Sequence, residues 1–203
     1  MNYGISVLFR AIPLVMALFC FAYGSYIYTW GDDVSRLTAG PVVFFLGSIC
    51  IALFSTASTI IRQIIRTYNP TSRLFLPILG YAVALTTFIF GVVMIHDRSV
   101  AEFFVTGHVV AGLGLIAGCV ATAATVSSRF SLIPENSADA SFKSNPAGFT
   151  QGQELLFETI VSFFALVAWA WAIVLLSTPS TPHFVAGSVM GGIACICTSL
   201  IAL

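Results

Sequence analysis

Charge is what this sequence has least of. Eight Lys or Arg and eight Asp or Glu make up 8% of 203 residues, where a soluble domain carries about a quarter. That shortage excludes a soluble globular fold. The balance of the two signs leaves no net field to draw nucleic acid or an acidic substrate. CxxC pairs are also missing: Cys20, Cys50, Cys119, Cys195 and Cys197 all lie in apolar stretches and read as small apolar residues. Cys195 and Cys197, one residue apart, point to different faces of a helix and argue against a thiol redox centre. No P-loop, G-x-S-x-G elbow or metal-spaced His/Glu motif is present. The apolar interiors hold no carboxylate, which weighs against carboxylate-coupled transport and against acid/base catalysis in the bilayer. The expectation is a protein that is not an enzyme, with no catalytic residue, cofactor or metal. A haem between His108 and His183 is disfavoured, because nothing in the sequence sets the two rings face to face.

What is present is long uncharged sequence. Residues 11–31, 37–61, 74–96, 103–128 and 159–203 contain no Asp, Glu, Lys or Arg, and about 20 apolar residues suffice to cross a bilayer. The last stretch is too long for one span and is cut by Ser177-Thr178-Pro179-Ser180-Thr181-Pro182, a turn signal. Six spans follow, at about 5–29, 35–66, 74–95, 99–127, 155–177 and 181–203. The first is too long for a signal-peptide core and ends in an interfacial aromatic cluster, Tyr26, Tyr28 and Trp30. Ser99 with Glu102 predicts a capping box opening the fourth span. Thr181 is the expected N-cap of the sixth, with Pro182 at its first helical position.

Lys and Arg set the orientation. Arg10, Arg62, Arg66, Arg73, Arg129 and Lys143 fall on one side and only Arg36 and Arg98 on the other, which predicts cytoplasmic N- and C-termini. The connection at about 128–154, rich in Ser, Asn, Asp and Gly, reads as a cytoplasmic linker.

The chain also repeats itself. Leu37-Thr38-Ala39-Gly40-Pro41-Val42, Phe104-Val105-Thr106-Gly107-His108-Val109 and Phe184-Val185-Ala186-Gly187-Ser188-Val189 open the even-numbered spans. Nine residues after each glycine stands Ile49, Ile116 or Ile196. Twenty-two after the first two stand Arg62 and Arg129. The fold class expected is therefore an all-α polytopic membrane protein, a single domain over 1–203. Its six spans form three tandem helical hairpins in parallel orientation, with repeat units at about 1–66, 67–127 and 155–203. Small residues line one face of each even span: Gly40, Gly47, Ser55 and Ser58; Gly107, Ala111, Gly114, Gly118, Thr122 and Thr125; Gly187, Gly191, Ala194 and Thr198. Lipid removes most of the hydrophobic drive between helices, so such faces serve close packing or line a pathway. They predict that the even spans pack inward or against each other.

The three histidines gather on the outer side. His96 ends the third span, His108 lies two turns into the fourth and His183 starts the sixth, with Asp32, Asp33, Asp97 and Glu102 on the same side. Imidazole changes charge between about pH 5 and 8. His96, Asp97, Glu102, His108 and His183 are accordingly the candidate pH-responsive rim.

Ser55 to Gln63 (STASTIIRQ), Leu76 to Tyr81 (LPILGY) and the Gly-His-Val box within Phe104 to Val109 resemble the YhiM-like family of enterobacterial inner-membrane proteins, over nearly the whole chain. The resemblance implies a multi-pass protein of the bacterial inner membrane, associated with survival at low pH. It supplies no catalytic or substrate site. YhiM-like chains continue with further spans, whereas this one stops at Leu203. The function expected is pH-responsive passage of a small solute or ion. The alternative is an accessory subunit that docks other membrane proteins through the small-residue faces. The partners expected are the lipid bilayer and a second copy or other membrane proteins, with no nucleic acid.

Overall fold

A computed structural model describes residues 3–64, 70–97, 100–130 and 151–201. All of its regular structure is helical: α1 Tyr3–Trp30, α2 Asp33–Leu37, α3 Ala39–Ile64, α4 Pro70–His96, α5 Glu102–Phe130, α6 Gln151–Leu176 and α7 Thr181–Ser199. In lipid every backbone donor and acceptor must be met inside the segment, which leaves the helix as the form these uncharged runs can take. Six helices are long and apolar enough to span a membrane. Pro13 and Pro77 lie inside α1 and α4. Both helices continue through them, as membrane helices can where neighbours satisfy the freed backbone groups. Beside Pro77, the Leu76 carbonyl accepts a hydrogen bond from Ser55 of α3.

Three boundaries differ from the sequence expectation. The second span starts earlier, as the separate short helix α2, and a turn at Thr38 (φ −110°, ψ −69°) separates it from α3. At α7 the N-cap is Ser180 and not Thr181. Its extended backbone (φ −152°, ψ 148°) lets its hydroxyl accept from the His183 amide, which moves Pro182 one position further into the helix. The 128–154 linker is narrower than expected, since α5 runs to Phe130 and α6 begins at Gln151. Ser99 of the expected capping box, Arg66 and Lys143 lie outside the described residues.

α5 is the axis of the bundle. It packs on α3, α4, α6 and α7, while α1 leans on α3 and α2 alone among the described residues. Of the α5 span 67% is buried, against 17% for α1 and no more than 33% for any other. The even spans thus meet through α5, and among the described residues α3 and α7 make no close backbone approach. Small side chains make this possible. Ala52, Ala84 and Ala117 form one core cluster across α3, α4 and α5. Cys119, Ala168, Met190, Ala194 and Cys197 centre another across α5, α6 and α7. Cys119 and Cys197 come within 3.7 Å of each other, both as free thiols.

Candidate functional site

Each small-residue face lies mainly against the helix before it. A Cβ added at Gly40 would stand 3.1 Å from the Tyr28 amide nitrogen of α1. One at Gly107 would stand 2.7 Å from the Gly91 carbonyl and 2.8 Å from the Ile95 amide nitrogen of α4. One at Gly187 would stand 3.0 Å from the Leu176 amide nitrogen of α6. Gly47 meets the Phe21 ring, Gly114 meets the Phe88 backbone and Ala84 carbonyl, and Gly118 faces the Phe164 ring of α6. Ala111 and Ala194 are fully buried. Gly191 has open space around it, and Thr198 accepts a hydrogen bond from the Trp169 indole at 3.2 Å. Except at Gly118 and Gly191, these glycines close-pack within helix pairs. Two glycines on the opposing helices were not picked out from the sequence: Gly24 meets the Phe44 backbone and Gly91 the Ala111 backbone. Each lies sixteen residues before a motif glycine, a spacing that could have revealed them.

The five rim residues separate into two groups. His96, Asp97 and Glu102 are exposed at the α4–α5 turn. His108 instead is 2% exposed, about 9 Å along α5 from Glu102 at the helical rise of 1.5 Å per residue. Its Nδ1 stands 2.6 Å from the Phe104 carbonyl one turn back. A carbonyl only accepts, so Nδ1 carries hydrogen and Nε2 is the atom that takes a second proton. The imidazole lies 4.6 Å from the Phe104 ring and 5.5 Å from Trp171 of α6. Phe104 in turn contacts the His183 ring at 4.6 Å, and the His183 imidazole meets Ser180 at 2.5 Å. Trp171 was missed because nothing in the sequence tells which face of α6 meets α5. No group of three His, Cys, Asp or Glu among the described residues could hold a metal.

Asp32 and Arg36 frame the neighbouring corner. Ser35 hydrogen-bonds the Asp32 carboxylate and holds it below the usual carboxylate range. The Arg36 guanidinium lies 5.8 Å over the Tyr28 ring.

Toward the other end of the bundle a hydroxyl cluster joins α3, α4 and α5. Thr56 donates to the Val120 carbonyl at 2.8 Å. Thr122 donates to the Gly118 carbonyl, so the Tyr81 hydroxyl, 2.9 Å away, is the donor to Thr122.

Five membrane-length helices around a buried sixth, with one imidazole among the described residues enclosed near one end of it, define an all-α polytopic integral membrane protein. The chain belongs to the DUF2776 family, proteins of unknown function, whose family model matches residues 1–203. It is similar to inner membrane protein YhiM of Escherichia coli (strain K12), at 39% identity over 208 residues covering 100% of this chain. The chain spans 59% of that relative's length. No solved structure matches it.

Proposed function

We propose that this is a non-enzymatic, pH-responsive protein of the bacterial inner membrane that contributes to survival at low pH, with acid-dependent passage of a small solute or ion as its activity. The carrying observation is His108, a titratable ring 2% exposed between Phe104 and Trp171. A proton on Nε2 puts a positive charge into this aromatic enclosure. Burying an unpaired charge is expensive, and the ring faces offset only about 0.5–2 kcal/mol of that. His183, reached through Phe104, is the other titratable group in the stack. The response we infer is a shift of α5 against α6 and α7 as His108 charges. The acid-survival part of the reading follows from the family resemblance.

The same reading takes the chain as three tandem hairpins of one orientation, with both termini cytoplasmic and the histidines outside. Its support is that the three motif glycines meet Tyr28, Ile95 and Leu176, which lie twelve, twelve and eleven residues back.

The accessory-subunit reading is favoured by α7 alone. A Cβ at Gly191 or Gly192 would meet nothing within 4 Å, which leaves part of that face open to a partner helix. Proteoliposome flux across a pH gradient separates the two. Flux at acid pH that is lost in His108→Ala supports the first; no flux at any pH, with stable co-purifying membrane proteins, supports the second.

A further inference from the structure

Two buried polar atoms among the described residues have no hydrogen-bond partner: Nε of Arg10 and Oγ of Ser58. They belong to one place. In the α1–α3 pair, Gly24 faces Phe44, Gly40 faces Tyr28 and Gly47 faces Phe21. The residue numbers of each facing pair add to the same total, as an antiparallel register requires, and Arg10 with Ser58 gives that total again. Both also lie on the facing stripes. Arg10 is seven residues from buried Ala17 and fourteen from Gly24, and Ser58 is eighteen from Gly40, whole numbers of turns to a good approximation. Ser58 is 2% exposed, and Arg10 is half-buried where the first apolar span begins.

The two groups share a chemistry. The guanidinium Nε–H can only donate, and the Ser58 hydroxyl is free to donate. No carboxylate among the described residues pairs with Arg10. A water molecule could satisfy the hydroxyl but would leave the cation uncompensated at the edge of the hydrocarbon, where charge is costly. An oxyanion meets both needs at once, and phosphoryl oxygens match the guanidinium fork and are abundant at that depth. The second hairpin shows that helix crossing does not itself demand such a pair. There the register of Gly91 on Ala111 and Gly107 on Ile95 sets Pro77 opposite Thr125, whose hydroxyl donates to the Ala121 carbonyl at 3.2 Å.

We infer that Arg10 and Ser58 form a binding site for a phosphoryl oxyanion, the chemistry offered by a phospholipid headgroup and by dissolved phosphate alike, at the membrane face where the first apolar span begins. The inference does not depend on the pH reading. Purified full chain in a phosphate-free maltoside detergent is assayed by thermal unfolding against added phosphatidylglycerol in one arm and inorganic phosphate in the other. A rise in Tm with phosphatidylglycerol supports the site and assigns it to lipid; a rise with phosphate supports it and assigns it to the soluble ion. In either arm Arg10→Gln and Ser58→Ala should each weaken the apparent affinity about tenfold, as loss of a hydrogen bond to a charged group implies. Ser58→Ala removes one atom and keeps the fold, which guards against a merely unfolded variant. No Tm rise in either arm, or a rise that both variants keep in full, overturns the inference.

Discussion

Gly91 of α4 lies against the backbone of Ala111 of α5 so closely that a methyl group on residue 91 would overlap the Ala111 amide nitrogen and Cα. Neither atom is the end of a flexible side chain, so relief requires the helices to move apart. Gly91→Ala should therefore lower stability by about 1–3 kcal/mol, the usual penalty for overpacking. Gly192→Ala, which adds its methyl to open space, should be neutral. Unfolding of both variants in the same detergent checks the contrast.

Cys119 and Cys197 report whether α5 and α7 pack as described. Their sulfurs are 3.7 Å apart, against about 2.05 Å in a disulfide. A membrane-permeant oxidant should join them without large backbone movement, giving a disulfide-linked pair of peptides that carry Cys119 and Cys197 in a non-reducing digest. Cys119→Ser should abolish that product, whereas Cys195→Ser, which removes an exposed thiol, should leave it.

The hydroxyl cluster offers a measurable coupling. Tyr81→Phe removes the donor to Thr122, and Thr122→Val removes the acceptor. A double-mutant cycle should give about 0.6 kcal/mol, the typical value for hydrogen bonds within a membrane bundle.

Asp32 titrates outside the spans, and its sign can be worked out. Ser35 stabilises the charged form, so the folded value lies below the ordinary carboxylate value. The associated stabilisation is present above the ordinary value and is lost as pH falls through the lowered one. Asp32 thus keeps its charge further into acid than a free carboxylate. Ser35→Ala should move its midpoint upward, as read from the side-chain carboxyl signal by NMR.

Span number and approximate ends were legible in the sequence because the bilayer imposes one length and one backbone solution on every uncharged run. The turn at Thr38 was not legible, since about 35–66 read as one continuous span. The motif glycines were legible as a packing face, but the partner was not. Gly40, Gly107 and Gly187 close on Tyr28, Ile95 and Leu176 within their own helix pairs, and periodicity on one helix cannot say which neighbour fills its groove. The histidines were grouped by membrane side alone. That criterion could not separate exposed His96 from enclosed His108, because the enclosure depends on Trp171 from a distant helix.

The central claim is that His108 titrates inside its aromatic enclosure and moves the helices around it. The most direct measurement is tryptophan emission as a function of pH in nanodiscs, with Trp30 and Trp169 replaced by Phe so that Trp171 alone reports. An imidazolium 5.5 Å from the indole quenches it, so emission should fall on acidification in that background and stay flat when His108→Gln is added. Identical pH curves with and without His108 would contradict the account.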